Sequence, residues 1–97
     1  MPTYIILMNY TDQGIRNIKE SPRRIQAGDK ALEALGGRLI GAYPVMGQYD
    51  RVAIVDLPSD ELAMTTVLGM NAAGDVRTTT LKAFSNEQFA EIVKKLP

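Results

Sequence analysis

The chain has no cysteine and no histidine among its 97 residues. The first absence removes disulfides, thiolate nucleophiles and cysteine-based zinc sites. The second removes the side chain that most often relays protons near neutral pH. Neither charge is in excess: 11 Lys and Arg stand against 11 Asp and Glu. Binding along a nucleic acid draws on a basic excess or a basic face, so this balance argues against such a partner. Carboxylates at calcium- or magnesium-ligand spacing are missing, and no metal is expected. The apolar run near the start, Tyr4 to Met8, is too short to cross a bilayer and has no basic residue before it. The expectation is a cytoplasmic protein with no cofactor, no membrane partner and no nucleic acid partner.

What is present suits one globular domain across residues 1–97. Apolar residues make up 45% of the chain and charged residues 23%, as in ordinary packed domains. Tyr4 to Tyr10 is rich in β-formers and too short for a lone helix, so it predicts a first strand. Both of its alternating faces are largely apolar, which predicts burial on two sides. Thr11 stands as an N-cap before Ile15, Ile18, Pro22, Ile25, Leu32 and Leu35, an apolar stripe at helical spacing. Pro22 divides that stripe. From about Asp12 to Leu35 the expectation is two nearly collinear helical pieces, with Ser21 the cap of the second and Pro22 at its first position, or one kinked helix. Gly36-Gly37 ends it in the usual left-handed way.

Arg38 to Met46 predicts a second strand, and Gly41 and Pro44 suit it to a sheet edge. Gly47 to Asp50 turns the chain into a third strand, Arg51 to Leu57. Pro58-Ser59-Asp60-Glu61 caps a helix running to about Ala73, with acids at its positive end. Val76 to Phe84 is a fourth, threonine-rich strand, and Ser85 with Gln88 forms a capping box for a short last helix. This β-α-β-β-α-β order is the split-βαβ, ferredoxin-like signature. It implies an α+β fold: an antiparallel sheet in spatial order four, one, three, two, with both helices on one face. Little remains in the chain to cover the other face. An apolar face of that size predicts association, most economically two-fold pairing of sheet on sheet.

Several of these residues resemble the GYD domain family, named for its Gly-x-Tyr-Asp turn. Gly47-Gln48-Tyr49-Asp50 matches that turn, and Tyr10-Thr11-x-x-Gly14, Ser21-Pro22, Gly36-Gly37, Tyr43 and Thr78-x-Thr80 before Ala83-Phe84 agree in order. The one departure is Ser59, where the family often has an acid; either residue caps a helix. The resemblance implies a ferredoxin-like fold of the dimeric α/β-barrel type. It implies no activity, because the family is essentially of unknown function.

Strand direction places the end of strand one, the Gln48-Tyr49-Asp50 turn and the start of strand four at one end of the sheet. The candidate ligand-binding residues there are Tyr10, Tyr43, Tyr49, Asp50, Arg77, Thr78 and Thr80. The tyrosines offer hydroxyls on flat apolar rings, and Arg77 can clamp a carboxylate or enolate oxygen in a fork. Asp50 is the one weak candidate for a general base, a task that requires a desolvated setting. Plainer readings stand beside these. Asp50 suits a turn residue bonding its own backbone, and threonines are frequent in strands. Gly28 suits close approach of helix to sheet. Two functions follow: a homo-oligomeric binder of a small aromatic or carbonyl-bearing molecule, or a non-catalytic interaction module using the open sheet face. Whether the protein is an enzyme stays open from the residues alone.

Overall fold

β1 (Thr3–Tyr10) is the spine of the sheet. β3 (Arg51–Asp56) lies antiparallel on one side of it and β4 (Val76–Ala83) on the other. β2 (Arg38–Pro44) pairs outside β3, giving the order β2-β3-β1-β4 that strand order predicted. The computed structural model describes residues 1–97. Pro44 ends β2 on the edge, where its missing amide leaves no ladder bond unmade. A shift of register between Leu39 and Gly41 bulges Ile40 out of that edge strand.

α1 (Asp12–Arg16) starts where Thr11 accepts the Gly14 amide at 3.1 Å. A single 3₁₀ turn, Ile18–Glu20, leads into α2 (Ser21–Ala34). Pro22 sits in the first turn of α2, where no amide bond is lost. Ser21 departs from expectation: it is already helical at φ −58 and caps nothing. The chain enters α2 from a tight turn, so no extended cap position exists. The Ser21 hydroxyl instead bonds the Tyr10 hydroxyl at 2.5 Å. Gly36, at φ +84, closes α2, while Gly37 packs where a Cβ would press on Leu57 and Leu32. α3 (Asp60–Ala72) is capped by Ser59, which accepts the Leu62 amide at 3.2 Å. α4 (Asn86–Lys94) carries the full Ser85–Gln88 capping box.

Tyr4, Ile6 and Met8 of β1 point under the helices with Ala53, Val55, Leu57, Leu32 and Ala63. This layer is the core, and 12 of 97 residues are buried. Two expectations fail here. β1 is not buried on both sides: Ile5 and Leu7 on its other face are only half-covered, because no element lies over them. The apolar stripe of the first helical segment is mostly exposed, with Leu32 alone buried and Ile15 at 55% exposure. The 3₁₀ turn breaks the 3.6-residue period, so the upstream isoleucines rotate away from the sheet.

Candidate functional site

The predicted meeting of chain segments at one end of the sheet is present. The Asp50 amide donates to the Met8 carbonyl at 2.8 Å, and Asp50 Oδ2 accepts the Tyr10 amide at 2.8 Å. Asn9 Nδ2 donates to the Gln48 carbonyl at 2.8 Å. The Asp50 carboxylate thus bonds a neighbouring strand rather than its own turn, and locks the β2–β3 turn onto the end of β1. Gly47, at φ +121, gives the turn its reversal.

The candidate residues divide between two faces. Tyr10 faces the helices, bonded to Ser21. Thr78 and Thr80 lie opposite Met8 and Ile6 and share that face, with Thr78 accepting from Asn71 Nδ2 at 2.8 Å. Arg77 is opposite Asn9 and so projects from the other face, exposed. Tyr43, opposite Val52, is 68% exposed there, and Tyr49 is half-buried in the turn. The sheet therefore separates Tyr10 from Arg77. Alternation along adjacent strands fixes this from the register alone.

Asp75 is a structural centre that sequence reading missed. It is buried, paired with Arg24, and accepts from Gln13 Nε2 at 3.0 Å and Asn17 Nδ2 at 3.5 Å. Its backbone oxygen takes the Thr11 amide at 3.0 Å. Arg24, half exposed, reaches across from α2 to the Asp75 carboxylate, whereas its neighbour Arg23 pairs within its own turn with Glu20. A helix pattern shows an arginine's own neighbours. It does not show a partner 51 positions away.

At the opposite end of the sheet, Tyr4 donates to Asp60 and Lys82 Nζ donates to the same carboxylate at 3.0 Å. Burial, then the hydrogen bond and charge of Asp60, push the Tyr4 phenol from 10.0 up to about 12. The Tyr4 and Lys82 hydrogen bonds hold Asp60 below its ordinary value. The signs follow by linkage. The stabilisation from Tyr4 is complete below pH 10 and is lost as pH rises through about 12. That from Asp60 is present above the ordinary carboxylate range and is lost as pH falls through its lowered value. An absorbance titration of the phenols is expected to show a late phase near pH 12 that Tyr4→Phe removes. A titration unchanged by Tyr4→Phe would contradict the hydrogen bond from Tyr4 to Asp60.

The face away from the helices presents Ile5, Leu7, Val52 and Ile54 half-covered, with Leu81 exposed beside them. α4 leaves the sheet after Ala83 and packs almost nothing against the rest of the chain. Its Phe89, Ile92 and Val93, with Leu96 just beyond, stand in water at helical spacing. The molecule is drawn out to 52 Å along its longest axis. No three acidic side chains cluster as metal ligands, and no helix is long and apolar enough to cross a membrane.

A four-stranded antiparallel sheet with helices above and a bare apolar face below defines an α+β domain of the ferredoxin-like type. The chain belongs to the GYD domain family, whose model matches residues 4–93. It is 34% identical over 84 residues to the glutamine synthetase and cystathionine beta-lyase binding protein of Thermus thermophilus. That match covers 86% of this chain and 88% of the relative. The crystal structure of TTHA0845, also from Thermus thermophilus, is similar at TM-score 0.55 and 30% identity, over 88% of this chain and 95% of that one. A solved FFRP structure, 22% identical, shares the fold at TM-score 0.55, over 87% of this chain and all 100% of its own.

Proposed function

We propose that this chain is a non-catalytic binding module that pairs with a second copy of itself and docks onto metabolic enzymes. The bare apolar sheet face carries the reading. Ile5, Leu7, Val52 and Ile54 form a contiguous half-buried patch beside the exposed Leu81, and pairing would remove what remains of its contact with water. A two-fold contact matches the patch to itself. Tyr43 and Arg77 project from the same face and form the polar rim of that contact. A small aromatic or carbonyl-bearing ligand at this end of the sheet would be enclosed only after two chains meet. The Thermus relative's name supports docking onto enzymes, with glutamine synthetase and cystathionine beta-lyase as the first partners to try.

Leu7→Glu tests the pairing. It places a charge in the middle of the patch and leaves the buried layer untouched. Sedimentation analysis is expected to show a self-associated wild type and a variant weakened about a hundredfold or more. A monomeric wild type at micromolar concentration would remove the pairing. Surface plasmon resonance against purified glutamine synthetase and cystathionine beta-lyase tests the docking. Absence of binding to both enzymes removes that half of the reading.

A further inference from the structure

α2 and α3 cover the same face of the sheet but stand apart, leaving a cleft of about 720 Å³ floored by Ile6, Met8 and Ala53. That volume is in the range of small-molecule sites. Two observations set it apart from loose packing. The first is a pair of glycines facing the gap, Gly28 in α2 and Gly69 in α3. A Cβ built on either meets nothing within 4 Å. Gly28 therefore does not serve the close helix–sheet approach expected of it. Glycine weakens a helix interior, and here it returns no packing contact; what it leaves is space.

The second is Arg51. Its side chain is only 10% exposed, yet its one ionic contact is Asp29 at 3.5 Å, longer than a charge-assisted hydrogen bond. None of its nitrogens is both sealed and unpaired, and the residue lines the cleft. The other ion pair lining the cleft, Arg24 with Asp75, is already engaged by Gln13 and Asn17. Arg51 is the buried cation of the cleft, whereas the half-exposed Arg24 is held by Asp75. Asp29, a third exposed, can turn to water when another carboxylate takes its place.

We propose that this cleft binds a small organic carboxylate with an aromatic or branched aliphatic body. The carboxylate forks onto Arg51 and the body lies over Met8 and Met70. Gly28 and Gly69 keep the entrance open. The site is on the helix side of the sheet and stands independently of the pairing and docking on the bare face.

The test is a ¹H–¹⁵N NMR titration of the full chain with 3-phenylpropionate and its neutral amide, 3-phenylpropanamide. Shifts are expected at the amides of Met8, Gly28, Arg51 and Gly69, with the acid bound about tenfold or more tightly than the amide. Arg51→Met removes the preference for the acid. Gly69→Leu, which fills open space and favours the helix, raises the melting temperature and abolishes binding of both probes. Equal binding of acid and amide overturns the proposal, as does an absence of shifts or unchanged affinity in Gly69→Leu. Loss of self-association in Gly69→Leu also overturns it, because the cleft would then be a groove for a second chain. Leu7→Glu separates the two readings: it disrupts pairing and leaves 3-phenylpropionate binding intact.

Discussion

Replacing Gly14 with alanine is expected to destabilise the fold by about 3 kcal/mol, at the upper end for overpacking. The added Cβ would lie 2.0 Å from the Asp75 carbonyl oxygen and 3.2 Å from Cδ1 of Tyr10. The constraint is one of space, since Gly14 lies inside α1 and needs no unusual φ. Relief requires α1 to lift from the start of β4, and that seam is densely bonded. The Thr11 amide reaches Asp75 at 3.0 Å, and the Thr11 hydroxyl donates to the Gly74 carbonyl at 2.5 Å. Gln13, Asn17 and Arg24 all converge on the Asp75 carboxylate. Moving the backbone loosens these bonds together and leaves a buried acid short of partners. For a domain of this size, about 3 kcal/mol is roughly 12–24 °C of melting temperature. Urea denaturation of Gly14→Ala checks it. A loss below about 1 kcal/mol, the middle of the range for ordinary substitutions, would mean that α1 does not rest on β4 as described.

This seam also marks where sequence reading reached its limit. The family resemblance marks Tyr10-Thr11-x-x-Gly14 as a motif, and Thr11 reads as a cap from its place before the helical stripe. What Gly14 packs against is 61 positions away, and no local pattern names Asp75. The strand order was legible because it follows from element order and the short Gly47–Asp50 connection. The buried face of β1 was not, because both alternations are apolar and only the placement of helices chooses between them. Tyr10 and Arg77 were legible as neighbours at one end of the sheet. Their separation onto opposite faces is a matter of register, which a one-residue slip reverses. Arg51 went unremarked because the first residue of a strand after a turn resembles any solvated arginine. Its burial comes from the layer of helices above it.

The open sheet face and α4 together raise the other large expectation. The double substitution Phe89→Asp, Ile92→Asp should weaken self-association by a factor of about 10² to 10⁴ without unfolding the domain. α4 is nine residues long, and a helix of that length is marginal in water even with a capping box. Its persistence calls for burial of the stripe formed by Phe89, Ile92, Val93 and Leu96, of which Phe89 is 62% exposed and Leu96 66%. Its own chain packs almost nothing against that stripe. A second copy presenting the bare sheet face and its own α4 is the surface of matching character. Full burial of one large apolar side chain is worth about 1.5–3 kcal/mol, so losing two corresponds to about 3–6 kcal/mol of association. The core stays intact because α4 contributes no residue to it. Analytical ultracentrifugation should therefore show dissociation. Far-UV circular dichroism should lose about the signal of one short helix, while the NMR shifts of Tyr4, Ile6 and Leu57 hold their positions. Wild-type association in the double variant would mean that α4 meets no second copy, and that the bare sheet face pairs without it.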